Sequence, residues 1–311
     1  MKIGFGVDLG GTTVKIAAFA PDGKLLSKWE IPTVTEVNGS RILPDIASSV
    51  LGYCKEKGIS KAGVMGLGIG VPGAVTGDGV VNRCINLGWG RFNIQEALGS
   101  LTGFRVVAGN DATVAALGEC WKGGGQGCRN MVMVTLGTGV GGGIVVDGKA
   151  VYGAHGAGGE IGHMVLNRGE TEVCACGKRG CVEQYCSATG IVRLAKKHLA
   201  ATDRSSVLRH KTFTCKDVFA AAWGGDILAA EVLEQVYAYM GEFLAGVCAV
   251  VDPEIVVLGG GVSKAGNPLL EGVRRYFAQY AFHACADTQF ALATLGNDAG
   301  VYGAFKLLLD D

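Results

Sequence analysis

The sequence predicts an α/β fold made of two domains of similar topology with a cleft between them. Apolar strand segments alternate with helical segments, and no low-complexity linker separates the two halves. One pattern occurs twice: an apolar strand, a Gly-Thr turn, a second strand and an Asp-Gly-Lys turn fill residues 3–31 and return from residue 131. This recurrence indicates an internal duplication, whose two halves we expect to close against each other.

The first half begins with strands. Residues 3–9 and 14–19 are apolar runs of strand length that flank a glycine-rich turn. Asp22-Gly23 lies between two apolar runs and therefore predicts a hairpin turn into a third strand. The remaining patterns of this half predict a helix at 40–57, strands at 64–71 and 106–109, and a helix at 112–121.

The second half repeats this opening. Residues 131–136 form an apolar strand that breaks at the glycines of 137–139, resumes, and reaches Asp147-Gly148-Lys149. Helix-rich sequence follows at 187–250. The last patterns predict a strand at 254–258, a glycine turn at 259–261 and a helix at 299–309 that is apolar on one face.

Glycine is the unusual component of the composition. The chain has 52 glycines in 311 residues, a share of about 17%. In an ordinary protein the share is about 7%. A collagen-like period is absent, so we expect the glycines to serve turns and close backbone approaches. Apolar residues make up 49%, enough for one or two cores. This composition favours a protein whose loops surround a phosphorylated ligand.

Charge and cysteine content exclude several classes of protein. The 28 basic and 28 acidic residues balance and the sequence has no long basic run, whereas a nucleic-acid binder normally shows a basic face. Eleven cysteines in so long a chain do not indicate a small disulfide-stapled scaffold, and a reducing cytoplasm is the expected compartment. The N-terminus lacks a signal-peptide core, and no stretch has the length and apolar character of a membrane span. We expect a cytoplasmic protein without nucleic-acid or membrane partners.

Three glycine turns, at 8–13, 136–139 and 259–261, each follow an apolar strand, and strand ends are where α/β folds bind ligands. Glycine lets backbone N–H groups approach phosphate oxygens. Thr12 and Thr138 add hydroxyl donors, and Asp8 can hold Mg²⁺ through water. The Walker A pattern and a GxGxxG followed by a helix are both missing. One such hairpin is more often a plain turn, but three of them favour a ligand site.

A cluster of potential metal ligands lies between Glu160 and Glu183. Three thiolates and one imidazole fill all four positions of a tetrahedral Zn²⁺ ion, as in structural sites, whereas a catalytic zinc keeps one position open. Plain buried thiols are the alternative that this spacing disfavours, and Cys186, outside the pattern, is interpreted as a core residue. The two glutamates are then the candidates for chemistry. The predicted ligands are His163, Cys174, Cys176 and Cys181.

Asp111 follows a strand at the start of a predicted helix, beside Asn110. Asp and Asn both favour the N-cap position, so a structural role is one interpretation of this pair. A general base that accepts a hydroxyl proton is the other. The residues alone leave both interpretations open.

Four motifs resemble those of the ROK family (repressors, ORFs and sugar kinases), in order and spacing over essentially the whole chain. The resemblance implies two ribonuclease-H-like domains, as in actin, hexokinase and the Hsp70 ATPase, with ATP and a sugar in the cleft. It also implies Mg-ATP-dependent phosphorylation of a hexose, and the stretches 118–123 and 186–191 resemble those of bacterial glucokinases. The motifs are Asp8-Leu-Gly-Gly-Thr, Leu136-Gly-Thr-Gly-Val-Gly-Gly-Gly, Gly159-Glu-Ile-Gly-His163 and Cys174-x-Cys-Gly-x-x-Gly-Cys-x-Glu183.

The resemblance assigns roles to individual residues. Asp111 matches the catalytic base, although Thr113 stands where relatives usually carry Asn. One nitrogen of His163 is expected to bind zinc and the other a sugar hydroxyl. Sugar contacts are implied for Gly73, Asn86, Asn110, Asp111, Glu160, His163 and Glu183. Nucleotide contacts are implied for Asp8, Gly10, Gly11, Thr12, Thr13, Gly137, Thr138, Gly139, Gly259, Gly260 and Gly261. Packing roles are expected for Trp89, Glu119, Trp121, Tyr237 and Tyr239.

We predict a smaller domain at 1–118 with the helix at about 298–311, and a larger domain at 119–297. The family suggests a homodimer. N-acetylmannosamine kinase and fructokinase share the implied sugar contacts and remain alternatives, and polyphosphate replaces ATP in some relatives. A sugar-responsive transcription regulator is disfavoured, because the first strand is predicted from residue 3 without room for a helix-turn-helix. An Hsp70-like chaperone would not need the zinc loop.

Overall fold

The computed structural model describes residues 2–82 and 84–311, with only the backbone of Ile85. The chain divides into two compact units. Unit 1 comprises Met1–Arg129, Gly143–Gly159 and Thr294–Asp311, and unit 2 comprises Asn130–Gly142 and Glu160–Ala293. Among the described residues, no helix combines the length and the apolar character that a membrane crossing needs.

Unit 1 contains a five-stranded sheet in the order β3-β2-β1-β4-β7. β1, β2 and β3 pair antiparallel as consecutive hairpins, whereas β4 and β7 extend the sheet in parallel. β1 is an almost continuous buried run, which explains its uninterrupted apolar sequence. The strands are β1 Ile3–Leu9, β2 Thr13–Phe19, β3 Leu25–Pro32, β4 Val64–Val71 and β7 Val106–Asn110, with a small separate hairpin of β5 Val80–Val81 and β6 Phe92–Asn93.

Helices of unit 1 pack on this sheet, and on each other, at glycines. A Cβ at Gly68 of β4 would lie 1.7 Å from the carbonyl oxygen of Ala304, and one at Gly303 would lie 1.7 Å from that of Val114. These glycines let backbones touch, so part of the glycine excess serves helix packing rather than ligand loops. The helices are α1 Glu36–Gly39, a single turn, α2 Ile42–Glu56, α3 Ile94–Thr102, α4 Asp111–Lys122 and α10 Ala299–Asp310.

The second sheet has the order β10-β9-β8-β11-β12. β11 pairs in parallel with β8 and with β12, and β10 closes an antiparallel hairpin with β9. The unit boundary between Gly142 and Gly143 falls inside β9. The elements are β8 Met131–Leu136, β9 Val140–Val146, β10 Lys149–Ala150, β11 Ile255–Gly259, β12 Gln289–Leu292, α5 Glu183–Cys186, α6 Ala188–Ala200, α7 Cys215–Trp223, α8 Ile227–Val251 and α9 Asn267–Tyr280.

Both sheets place a three-strand meander beside two further strands in the same order, so the predicted duplication is confirmed. The predicted hairpin at Asp147-Gly148 is present, with φ values of 52° and 77° that suit these two residue types. The domain division predicted at residues 118 and 119 falls inside α4, all of which belongs to unit 1. The functional division into 1–118 with 298–311 and 119–297 stays a prediction.

Candidate functional site

The predicted metal ligands come together in unit 2. His163 ends a 3₁₀ turn, Ile161–His163, and the thiols lie on the loop that follows. That loop turns tightly because the backbone nitrogen of Gly177 donates to the carbonyl of Cys174 over 2.8 Å, with Gly177 at a φ of 83°. The ligand atoms of His163, Cys174, Cys176 and Cys181 all lie within 4.8 Å of one another.

The distances within this cluster fit a tetrahedral zinc ion. Zinc–sulfur bonds of about 2.3 Å and zinc–nitrogen bonds of about 2.0–2.1 Å place two sulfurs about 3.8 Å apart, and a sulfur and a nitrogen about 3.6 Å apart. The Sγ atoms of Cys176 and Cys181 are 3.6 Å apart, and the Sγ of Cys174 is 3.9 Å from Nδ1 of His163. Three sulfurs and one nitrogen at this spacing can hold Zn²⁺ with no position left open.

Cys186 does not belong to this group. Among the described residues, the four candidate ligands form a group that could hold a metal ion, whereas Cys186 is fully buried in the core. Burial raises the pKa of its thiol, as expected for an inert core cysteine. The interpretation of Cys186 as a packing residue is therefore confirmed.

The imidazole of His163 faces two different groups. Nδ1 points to Cys174, whereas Nε2 lies 4.0 Å from Oε2 of Glu160, whose side chain is about half exposed. One nitrogen is thus available to a metal while the other stands beside an accessible carboxylate. That one nitrogen binds a metal and the other a substrate hydroxyl stays a prediction.

Glu183 is the first residue of α5, and its carboxylate makes contacts that the sequence did not indicate. Its Oε2 accepts a hydrogen bond from the backbone nitrogen of Val140 over 3.0 Å. Its Oε1 lies 3.7 Å from the thiol of Cys174. Glu183 therefore joins the thiol cluster to the glycine turn that precedes Val140.

Asn110, not Asp111, is the N-cap of α4. Its Oδ1 accepts the backbone nitrogen of Thr113 over 3.0 Å, and its Nδ2 donates to the carbonyl of Gly73 over 3.0 Å. Asp111 is the first helical residue, where its Oδ1 accepts the nitrogen of Ala112. The N-cap interpretation of Asp111 is therefore wrong, because its neighbour takes that position and leaves Asp111 at the positive end of the helix.

The other predicted sugar residues of unit 1 lie on loops. Gly73 follows β4 with a φ of 100°, and Asn86 is exposed on a 3₁₀ turn, Ile85–Leu87. Trp89 is buried and its Nε1 donates to the carbonyl of Gly39 over 3.4 Å. The packing role expected of Trp89 is confirmed.

The first glycine turn joins β1 to β2. The backbone nitrogen of Gly10 donates to the carbonyl of Thr13 over 3.0 Å, and a Cβ added at Gly11 would meet nothing within 4 Å. Asp8 lies below the turn, 3.4 Å from Nζ of Lys15. Burial raises the pKa of Asp8, and Lys15 counteracts this effect.

The other two glycine turns belong to unit 2. Gly137 opens on space that no atom fills within 4 Å of an added Cβ, whereas a Cβ at Gly139 would lie 2.2 Å from Oε2 of Glu183. After β11, Gly261 is similarly open, and Gly260 with a φ of 82° packs on the backbone of Leu136. Only part of each predicted turn therefore faces open space.

Sequence reasoning missed three residues near these sites. Lys15 lies opposite Asp8 in the hairpin register, and a lone Lys in an apolar strand was the available signal. Glu170, with a side chain 5% exposed, binds Arg193 over 2.8 Å and anchors the metal-ligand loop to α6. A buried pair of this kind has no local sequence signal, because its partners meet only in the folded chain.

Two units of one repeated topology, with glycine turns after their strands, define a two-domain ATPase fold of the actin and hexokinase type. The chain belongs to the ROK family, whose model matches residues 4–311. The fold class and the family that the sequence predicts are therefore confirmed.

Three relatives illustrate the similarity. A glucokinase of Halalkalibacterium halodurans is 42% identical over 304 residues, which cover 96% of this chain and 92% of the relative. The ROK hexokinase of Thermus thermophilus has a TM-score of 0.81 at 32% identity, covering 99% of this chain and 97% of its own. A ROK family glucokinase of Streptomyces griseus, solved in complex with glucose and AMPPNP, has a TM-score of 0.75 at 31% identity and covers 98% of both chains.

Proposed function

We propose that this protein is a glucokinase that transfers the γ-phosphoryl group of ATP to the 6-hydroxyl of glucose. The observation that carries the proposal is the 42% identity to a glucokinase over 96% of the chain. The glucose and AMPPNP complex of the Streptomyces griseus relative supports the same pair of substrates. The two ring nitrogens of His163, one toward the thiol of Cys174 and one toward Glu160, are consistent with a sugar-binding site beside a metal site.

Glu160, His163 and Glu183 are proposed to hold the sugar. A carboxylate accepts hydrogen bonds from two hydroxyls, which suits a polyol, and Glu160 is exposed enough to do so. Nε2 of His163 is beside it, while Nδ1 faces Cys174. A zinc ion on His163, Cys174, Cys176 and Cys181 would fix the tautomer and the orientation of the imidazole, and its closed ligand set leaves it no catalytic role.

Residues of unit 1 are proposed to act on the same substrate. Asn86 and the loop of Gly73 supply further sugar contacts, and Asn110 holds the Gly73 carbonyl while keeping hydrogen-bonding capacity for a hydroxyl. Asp111 is proposed as the general base. Its position as the first residue of α4, directly after β7, places this carboxylate at a strand end beside Asn110.

The proposed reaction is an in-line phosphoryl transfer. The sugar hydroxyl gives its proton to a carboxylate oxygen of Asp111 while its oxygen bonds to the γ-phosphorus, and the bond from that phosphorus to ADP breaks. Backbone N–H groups of the three glycine turns are proposed to bind the phosphates, at Gly11, Thr138 and Gly261. Mg²⁺ accompanies ATP, and Asp8 is proposed to bind it through water, with Lys15 adding positive charge.

A substrate panel tests this proposal. Purified protein with Mg-ATP is assayed on glucose, N-acetylmannosamine and fructose, and with polyphosphate in place of ATP. We expect the largest kcat/KM for glucose with ATP, because the 42% identity to a glucokinase extends over 96% of the chain. A larger kcat/KM for N-acetylmannosamine or fructose would replace the glucose assignment by that sugar. The proposed homodimer is checked separately by light scattering on the purified protein.

A further inference from the structure

The glycine turn of unit 2 is attached to the start of α6. The backbone nitrogen of Ala188 donates to the carbonyl of Gly137 over 2.8 Å, and the hydroxyl of Thr189 donates to the carbonyl of Thr138 over 2.7 Å. Ser187, the buried N-cap of α6, has its hydroxyl 3.0 Å from that of Thr189. Two consecutive carbonyls of the turn are therefore held on one side.

Holding the carbonyls fixes the direction of the next N–H groups. In a trans peptide the C=O and the N–H of the following residue point in opposite directions. Because the carbonyls of Gly137 and Thr138 point toward α6, the N–H groups of Thr138 and Gly139 point away from it. Neither N–H has a hydrogen-bond partner in the part of the chain that the structure describes. Two successive N–H groups directed to one side form an anion-binding concavity.

The back of the turn is closely packed. Oε2 of Glu183 would lie 2.2 Å from a Cβ at Gly139, and the carbonyl oxygen of Val140 would lie 2.0 Å from a Cβ at Gly162. The glycines at these positions are thus explained by close packing behind the turn. The opposite side, at Gly137 and the exposed Thr138, is open.

A threonine also holds carbonyls of the glycine turn in unit 1, and there it is Thr33. The hydroxyl of Thr33 donates to the carbonyl of Gly10 over 2.7 Å, and its backbone nitrogen donates to the carbonyl of Thr12 over 2.9 Å. The same peptide geometry then directs the N–H of Gly11 away from Thr33. Gly11 and Thr12 are exposed, so this N–H also faces the open side of its turn.

We infer that Thr189 and Thr33 are positioning residues, one in each unit, whose hydroxyls cap turn carbonyls and thereby direct backbone N–H groups toward the phosphates of the nucleotide. The inference rests on the proposed function in one respect, that the ligand of these turns is ATP. Both threonines lie behind the turns rather than on their open side, so they act through the peptide groups and do not contact the phosphates.

Binding of AMPPNP, measured by calorimetry, tests the inference without turnover. Loss of one neutral hydrogen bond costs about 0.5–1.5 kcal/mol, which corresponds to about two- to twelvefold in an equilibrium constant. We expect Thr189→Val and Thr33→Val each to raise the Kd for AMPPNP by about that factor and to leave the Kd for glucose within about twofold. Thr189→Ser and Thr33→Ser keep the hydroxyl and are expected to bind AMPPNP like the wild type.

The control is Thr212→Val, at an exposed threonine of unit 2 in the segment before α7, which is expected to leave both affinities unchanged. Equal AMPPNP affinity in the wild type and both valine variants overturns the inference and leaves the glucokinase proposal, which depends on the substrate panel, intact. Equal losses in the serine and valine variants overturn it too, since the hydroxyl would then not be the cause. A wild-type protein that binds glucose but not AMPPNP overturns the inference together with ATP as donor.

Discussion

The carboxylate of Glu119 accepts a hydrogen bond from the backbone nitrogen of Leu295 over 2.8 Å. Its other oxygen accepts those of Thr294 and Gly124 over 3.0 and 2.8 Å, and the side chain is fully buried. Glu119 belongs to α4, whereas Leu295 lies on the segment that leads into α10. One acidic side chain therefore joins two helices of unit 1. It accepts hydrogen bonds from backbone donors just after the C-terminus of α4 and just before the N-terminus of α10.

Glu119→Gln is expected to lower the free energy of unfolding by about 2–3 kcal/mol. The amide keeps one acceptor oxygen but turns an NH₂ group toward backbone N–H donors, and hydrogen bonds to a charged group contribute about 1.5–3 kcal/mol. Urea denaturation followed by circular dichroism measures the loss. The control is Glu56→Gln at an exposed position that ends α2, where the change should stay within about 0.5 kcal/mol. Similar stabilities for the two variants would remove Glu119 from this role.

Cys176→Ser tests the metal site. The wild type is expected to contain one zinc per chain by elemental analysis, and the variant to lose most of it, because a hydroxyl is a poor ligand for zinc. Without the metal the imidazole of His163 is no longer fixed, so the KM for glucose should rise about tenfold or more. Cys215→Ser in α7 is the matched control, and it should keep both zinc and KM. Full zinc content in Cys176→Ser would contradict the ligand set.

Asp111→Asn tests the general base. The amide has nearly the same shape but cannot accept the hydroxyl proton, so kcat should fall by about 10²–10⁴ while the Kd for glucose stays within a few fold. Steady-state kinetics and calorimetry on one preparation separate the two effects. Asp203→Asn, at an exposed position of unit 2, is expected to turn over normally. A kcat within tenfold of the wild type would assign proton acceptance to another group.

Local patterns predicted the strands, the duplication and the ligand cluster because these depend on neighbouring residues. The Asp147-Gly148 turn adopts its positive φ values from residue type alone. The four candidate metal ligands lie on two adjacent segments, so their spacing was sufficient to predict that they form one cluster. The register of a tight hairpin also places Lys15 opposite Asp8, but our sequence reasoning did not use this local signal.

The sequence did not predict which glycines serve close packing and which face open space. Gly68 lies within β4 and Gly137 directly follows β8, yet a Cβ at Gly68 would meet Ala304 at 1.7 Å and one at Gly137 would meet nothing within 4 Å. The difference arises from a helix more than two hundred residues later in the chain. Glu119 is a similar case, because the backbone donors that justify its burial come from residues 294 and 295. Packing partners of this kind appear only when distant segments are brought together.

The buried ion pair between Glu170 and Arg193 predicts how stability depends on pH. Arg193 is the main cause that lowers the pKa of Glu170 far below its usual value of about 4.3, and the hydroxyl of Tyr185, 2.6 Å away, contributes. Lys197 also faces Glu170, over 3.5 Å. Because the unfolded chain takes up this proton at a higher pH than the folded protein, the stabilisation is complete above about pH 5 and is lost progressively as the pH falls below about 4.3. Glu170→Gln should therefore be less stable at pH 7, by about 2–3 kcal/mol, and the difference from the wild type should shrink toward pH 3.

Urea denaturation of both proteins at pH 7, 4.5 and 3 measures this difference. Protonation of the metal ligands at low pH affects the wild type and the variant alike, so it cancels in the comparison. Glu172→Gln is the matched control: Glu172 contacts the same Arg193 and Lys197 but is 50% exposed, so its contribution is screened by solvent and should be smaller. A constant gap between the wild type and Glu170→Gln at all three pH values would show that Glu170 contributes through packing and not through its charge.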